Sequence, residues 1–302
     1  MEPILHIQGD AHSSLTPLIF IHAVSGLAWP YMALGNLSNT SDPARSRPVY
    51  GISSPVYSVS RYTLPPSLEE IAKEYVERLQ SELQPHGPYL LGGWSMGGMI
   101  AVKMAEILQA KKETVQQVIL LDSINPEKYP AFVNEEEHRI IADGLFTNVC
   151  QAMGMADLAD NSDDEDNRSD ASDASDNGST MSDEDEEDDN LHRLFSTMRR
   201  HIHASTLSIA STEPGKLLPP NSVCHTSVTL VKCTQLSETV PALFSARQRC
   251  IRRCALHPTL QWRPQNFDRF RTLLIDARHD SLFDEEHVEE VTSMLRQILE
   301  SC

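Results

Sequence analysis

The chain has 302 residues, 40% of them hydrophobic, and a formal net charge of −18, which leaves room for one large α/β domain or two small ones. Sixteen acidic residues against one arginine fall between Ala156 and Asn190, a local charge of −15 that leaves only −3 for everything else. A nearly neutral remainder excludes a nucleic-acid partner for the molecule as a whole. The six cysteines (Cys150, Cys224, Cys233, Cys250, Cys254, Cys302) form no CxxC pair and no Cys/His cluster of zinc spacing, so no metal site is expected. The start, MEPILHIQGDAHSS, lacks the basic region and long apolar core of a signal peptide. No apolar run reaches the ~18–20 residues of a membrane span. The expectation is a soluble, reduced, cytoplasmic protein with no membrane partner.

In chain order, ILHIQ (4–8) and PLIFIHA (17–23) read as strands, and the polar loop between them suits a hairpin. PVYGISS (48–54) is a third strand. SLEEIAKEYVERLQSELQ (67–84) then puts Leu68, Ile71, Ala72, Tyr75, Val76, Leu79 and Leu83 on one helical face, with Ser67 as N-cap and Glu70 completing a capping box. YLLGG predicts a strand, Met96 to about Lys111 a helix, and VQQVILLDS (115–123) a strongly apolar strand. After Pro126 the alternation breaks. Residues 127–155 and 191–215 have helical patterns, and between them 156–190 is too acidic and too poor in apolar residues to offset its ordering entropy, so it is expected to be disordered. Alternation resumes with SVTLVKCT (227–234), RTLLIDA (271–277) and a closing helix over 284–299. Such alternation predicts one α/β domain, 1–302, with a mainly parallel sheet, helices on both faces and a helical lid inserted at about 127–222.

The chemistry centres on GPYLLGGWSMGG (87–98), a G-x-S-x-G turn between a predicted strand and a predicted helix. That context forces Ser95 to stand proud of the sheet beside the new helix's N-terminus, where the Met96 N–H can donate to an oxyanion. The loop after LIFIHAVSGLAW is placed to supply a second donor, the Val24 N–H, with His22 in a structural or pocket-lining role. In this arrangement the chain order is Ser, acid, His, each at the carboxyl end of a strand. His279, in LLIDARHDSLF, follows the last predicted strand and is the expected base, whereas His287 falls inside the closing helix. The loop after the strand that follows the lid holds no aspartate and only Glu238, so the acid is assigned to Asp122, at the tip of VILLDS. Asp276 and Asp280 are too close to His279 in sequence to orient it. Leu27, Trp29 and Trp94 are candidate pocket residues.

LIFIHAVSG, RPVYGISS, GPYLLGGWSMGG and VILLDS together resemble the α/β-hydrolase thioesterase domains that end polyketide synthases and nonribosomal peptide synthetases, most of all those of fungal polyketide synthases, here free-standing. Asp122, 27 residues past Ser95 and ahead of the lid, is the most specific feature. The resemblance implies an α/β-hydrolase fold, no cofactor of its own, and an acyl substrate on the phosphopantetheine of an acyl carrier protein or on coenzyme A. The early loop is less glycine-rich than in relatives, and the acidic insert has no counterpart in the mechanism. A carboxylic-ester hydrolase and a noncatalytic binding protein remain as other readings. Arg247, Arg249, Arg252 and Arg253, in SARQRCIRRC (245–254), either dock the carrier or its phosphate, or form a solvated helix face.

Overall fold

The computed structural model describes residues 2–38, 46–155, 183–219, 223–237 and 244–302. Its seven strands are β1 (Ile4–Gln8), β2 (Leu18–Ile21), β3 (Val49–Ile52), β4 (Tyr89–Trp94), β5 (Val115–Leu121), β6 (Cys224–Cys233) and β7 (Phe267–Ile275). The α-helices among the described residues are α1 (Leu68–Glu82), α2 (Met96–Ala110), α3 (Glu135–Ala152), α4 (Asp183–Ala210), α5 (Ser245–Leu256) and α6 (Val288–Leu299). The sheet order is β1-β3-β2-β4-β5-β6-β7, and every pair is parallel except β1 with β3.

The expected hairpin does not form. β2 takes parallel neighbours on both edges, β3 on one and β4 on the other, so no edge is left for β1. β1 instead pairs with the outer edge of β3, Ile4 opposite Ile52.

The central strands read as continuous apolar runs because both of their faces are buried. Leu18, Phe20, Leu90, Ile119 and Leu121 pack on one face with Val291, Leu295 and Ile298 of α6. Ile19, Ile21, Leu91, Val118 and Leu120 pack on the other with α1 (Ile71, Tyr75, Leu79) and α2 (Ile100, Met104, Leu108). At roughly 1.5–3 kcal/mol for each such side chain, these two clusters dominate the stability of the fold. Helix α1 begins where Ser67 Oγ accepts the Glu70 N–H at 3.2 Å.

Between β5 and β6 lie α3 and α4, which build a third cluster from Ala142, Phe146 and Cys150 on one helix and Phe195, Met198 and Ile202 on the other. The acidic segment expected to be disordered lies outside the described residues over 156–182, but 183–190 form the first turns of α4. The apolar face that starts beyond them gives the helix a reason to form. The closing helix begins at Val288 rather than 284, and His287 is its N-cap residue rather than an interior one.

Candidate active site

Ser95 joins β4 to α2 with φ 55° and ψ −122°, a conformation that a non-glycine residue holds only when its surroundings impose it. The surroundings here are backbone and one serine side chain. A Cβ at Gly97 would stand 2.1 Å from the Ile21 carbonyl oxygen, and one at Gly98 would stand 2.1 Å from Ser123 Oγ. Only glycine lets the start of α2 lie this close to the ends of β2 and β5, so the turn stays sharp and Ser95 stands above the sheet. Tyr31 braces the same turn: its hydroxyl donates to the Ile21 carbonyl at 2.6 Å and accepts the Trp94 N–H at 2.8 Å.

Asp122 directly follows β5, and His279 lies four residues past β7. Because these strands are parallel, their carboxyl ends share one edge of the sheet with Ser95. His279 Nδ1 donates to Asp122 Oδ2 at 2.8 Å. The other carboxylate oxygen, Oδ1, accepts the Cys233 N–H at 2.9 Å, and the Asp122 N–H donates to Val231 at 2.8 Å. Asp122 is thus pinned to β6 through backbone and side chain, with φ 47°, a left-handed conformation that aspartate tolerates. The neighbouring acids are engaged elsewhere: Asp276 accepts from Thr234 and Gln235, and Asp280 from Ser237. Glu238 lies outside the described residues.

Met96 is the first residue of α2, where the helix leaves its N–H without an internal acceptor. Val24 follows β2 and lines a cavity together with Ser95 and His279. His22 is fully buried and bonded at both ring nitrogens, to the Ala23 carbonyl and the Tyr75 hydroxyl, each at 2.6 Å. Burial, and the nearby His201, push its pKa down to about 3, so it stays neutral and is no base.

Two cavities meet at Ser95, Met99, Tyr129, Ile251 and His279. The first, about 180 Å³, is mainly apolar and runs beneath the insertion past Val24, Trp94, Ile141, Leu145 and Ile209. The second, about 260 Å³, opens between the loop after β6 and α5, with Gln235, Ser237, Arg249 and Arg252 on its walls.

Three of the expected residues change place. Trp94 lines the apolar cavity and also donates from Nε1 to the His279 carbonyl at 3.1 Å, which steadies the His279 loop. Leu27 and Trp29 do not line it; they pack into the cluster under α3 and α4. Arg247 is not on the outer face of α5. Its guanidinium meets Glu137 at 2.9 Å, donates to the Pro130 and Ala131 carbonyls, and lies 4.2 Å over the Phe132 ring. Arg249, Arg252 and Arg253 are exposed.

The Arg247 bond holds the Glu137 carboxyl below the usual carboxylate range. Its contribution to stability is therefore complete above the ordinary value of 4.5 and is lost as pH falls through the lower folded value. Arg247→Ala strands a buried carboxylate and two carbonyls, and is expected to destabilise the fold by about 3–5 kcal/mol in urea titrations at neutral pH. Arg253→Ala, at an exposed position, is expected to change little.

Among the described residues no group of three or more His, Cys, Asp or Glu is placed to hold a metal ion, and no helix is long and apolar enough to cross a membrane.

A sharp strand–serine–helix turn, with a buried aspartate bonded to a histidine at the same sheet edge, defines an α/β-hydrolase-type site. Residues 16–299 match the family model described as thioesterase domain, and the chain belongs to that family. It is 91% identical to a thioesterase, pynI, of Aspergillus niger over the whole of both chains, and 40% identical to a thioesterase, pytI, of Aspergillus terreus over 99% of both. Shorter matches fall within a non-reducing polyketide synthase and a dimodular nonribosomal peptide synthase. Among solved structures, the thioesterase domain NocB, in covalent complex with a fluorophosphonate nocardicin G analogue, superposes with a TM-score of 0.62 at 19% identity, over 98% of this chain and 99% of that one.

Proposed function

We propose that this thioesterase is serine-dependent and releases an acyl or polyketide chain from a pantetheine thioester, carried on an acyl carrier protein or coenzyme A, in secondary-metabolite biosynthesis. The observation that carries the reading is the 2.8 Å bond between His279 and Asp122, at the sheet edge where Ser95 is held in a strained turn. The carboxylate can only accept, so Nδ1 carries the proton and Nε2 is left free to act as base.

His279 Nε2 takes the proton of Ser95 as Oγ attacks the thioester carbonyl. The Met96 and Val24 N–H groups stabilise the oxyanion, at roughly 3–4 kcal/mol for each donor. Collapse breaks the carbon–sulfur bond, and His279 returns its proton to the departing sulfur, which leaves an acyl-Ser95 ester and a free thiol. Water, deprotonated by His279, then releases an acid and restores Ser95. An internal hydroxyl in its place gives a lactone, and an internal carbanion gives a cyclised ketone.

The two cavities divide the substrate between them. The apolar one suits the acyl chain, and the one flanked by Arg249 and Arg252 suits the pantetheine arm and its phosphate, with Arg253 on the same exposed helix available to an acidic carrier. Matched acyl-pantetheine thioesters and oxygen esters test the substrate class. The thioester is expected to be cleaved faster, and faster cleavage of the oxygen ester contradicts the proposal. Arg249→Glu with Arg252→Glu is expected to raise KM for the carrier-bound or coenzyme A substrate by about tenfold and to leave a phosphate-free acyl thioester nearly unaffected, as loss of charge-assisted bonds predicts. Equal effects on both substrates rule out the phosphate contact.

A further inference from the structure

The loop that follows β2 carries Val24, and every carbonyl from Ala23 to Gly26 is tied down. The Ala23 carbonyl accepts from His22 Nδ1 at 2.6 Å and from the Gly26 N–H at 3.0 Å. The Val24 carbonyl accepts from His201 Nδ1 at 2.9 Å. The Ser25 carbonyl accepts from the Tyr57 hydroxyl at 2.5 Å, and the Gly26 carbonyl from the Ser54 N–H at 2.7 Å.

The bonds to the Ala23 and Val24 carbonyls fix the two peptide units that flank Val24. In a trans peptide the N–H is opposite the carbonyl of the same unit. With the Ala23 carbonyl drawn to His22, the Val24 N–H is turned away from His22. The bond from His201 to the Val24 carbonyl fixes the next peptide unit, so Val24 is held from both sides. His201 is not part of this loop. It belongs to α4, in the insertion, 177 residues away.

The fit of His201 is close. A Cβ at Gly26, where φ is 80°, would stand 2.9 Å from the imidazole Cε1 and Nε2. The ring is 2% exposed and lies 5.2 Å from the His22 ring. A carbonyl can only accept, so Nδ1 carries the proton, and Ser205 Oγ shares it at 3.1 Å. Nε2 has no hydrogen-bond partner among the described residues. Burial pushes the His201 pKa down to about 4, so the ring is a neutral donor. A buried imidazole with one nitrogen unpaired costs stability, and in exchange one loop carbonyl is fixed.

We propose that His201 is a positioning residue for thioester cleavage: by holding the Val24 carbonyl it anchors the loop on the far side of Val24, so that the Val24 N–H, aimed through the Ala23 carbonyl, stays at the oxyanion, and it makes the insertion helix α4 part of the catalytic apparatus. This inference rests on the proposed Ser95 mechanism. It follows that displacing α4 withdraws the clamp and loosens the loop that carries the second oxyanion donor, so the position of the insertion and catalytic competence are coupled.

The test compares His201→Leu, which fills the space without a donor, with His201→Asn, whose amide nitrogen lies close to the position of Nδ1. Both are measured in the full chain on a short acyl-pantetheine. His201→Leu is expected to lower kcat by about tenfold or more, short of the roughly 10²–10³-fold loss seen when an oxyanion donor is deleted. KM is expected to stay within about twofold, because the contact acts only as charge develops. His201→Asn is expected to recover most of the loss. A kcat loss under about tenfold for His201→Leu, an equal loss in both variants, or a loss confined to KM overturns the proposal. Should His201→Leu fail to fold, Tyr57→Phe removes a neighbouring clamp at the cost of one hydroxyl. It is expected to lower kcat several-fold at constant KM, and an unchanged kcat counts against the clamp. Ser95→Ala run alongside separates the two levels: if it still turns over, the Ser95 mechanism fails, whereas if it is dead and His201→Leu is fully active, only the role of His201 fails.

Discussion

Ser95→Ala is expected to lower kcat for thioester hydrolysis by about 10⁴–10⁶-fold, since residues of a nucleophilic unit fail together when one is removed. The fold should survive. The Ser95 side chain makes no capping bond to α2, and the turn is held by the close approach of Gly97 and Gly98 to neighbouring elements. The strain at φ 55° remains in the alanine variant, because alanine also carries a Cβ. Ser95→Gly relieves strain worth of order 1–3 kcal/mol, less about 0.5–1 kcal/mol of added chain entropy. The glycine variant is therefore expected to unfold at a higher urea concentration than the alanine variant while being equally inactive. Thiol release and urea titration of the three proteins check both halves. Residual turnover above about 1% in Ser95→Ala would place the nucleophile elsewhere.

Asp122→Asn is expected to cost about 10⁴-fold in kcat with KM nearly unchanged. The reason lies in what the carboxylate holds. Oδ1 accepts the Cys233 N–H, a backbone donor that cannot move without parting β5 from β6. An asparagine must keep its oxygen there, which directs its NH₂ group at His279 Nδ1. The imidazole then carries its proton on Nε2, and it can no longer take one from Ser95. The geometry survives while the tautomer is wrong, so steady-state kinetics should show the loss without a matching change in the urea midpoint. Activity within tenfold of the wild type would move the acid away from Asp122.

The three residues that gather at the sheet edge were legible because each is announced by local sequence. Ser95 stands in a glycine-rich turn between an apolar strand and a helix, and Asp122 and His279 each follow an apolar strand. Partner choice was not legible in the same way. The loop between β1 and β2 suits a hairpin, yet the pairing was decided by which strand filled both edges of β2. Leu27 and Trp29 adjoin the Val24 loop in sequence, but whether they face the cavity or the insertion depends on where α3 and α4 pack.

Arg247 did carry a signal. It shares an i, i+4, i+7 spacing with Ile251 and Cys254, which puts it on the inward face of α5, whereas Arg249, Arg252 and Arg253 fall outside that face. Reading the run by composition hid this. His201 likewise falls among Met198, Ile202, Ser205 and Ile209 on the apolar face of α4, a position where histidine needs a bonded partner. That the partner would be the Val24 carbonyl depended on a contact across 177 residues. Composition assigns 183–190 to the acidic run, whereas the helical face that begins beyond them carries α4 back to Asp183.

Rapid-quench mass analysis of the protein turning over an acyl-pantetheine thioester tests the role of Ser95 itself. A transient adduct of the acyl mass is expected on the peptide containing Ser95, formed as thiol is released and absent in Ser95→Ala. Turnover with the acyl group on any other residue, or continued turnover by Ser95→Ala, would contradict it.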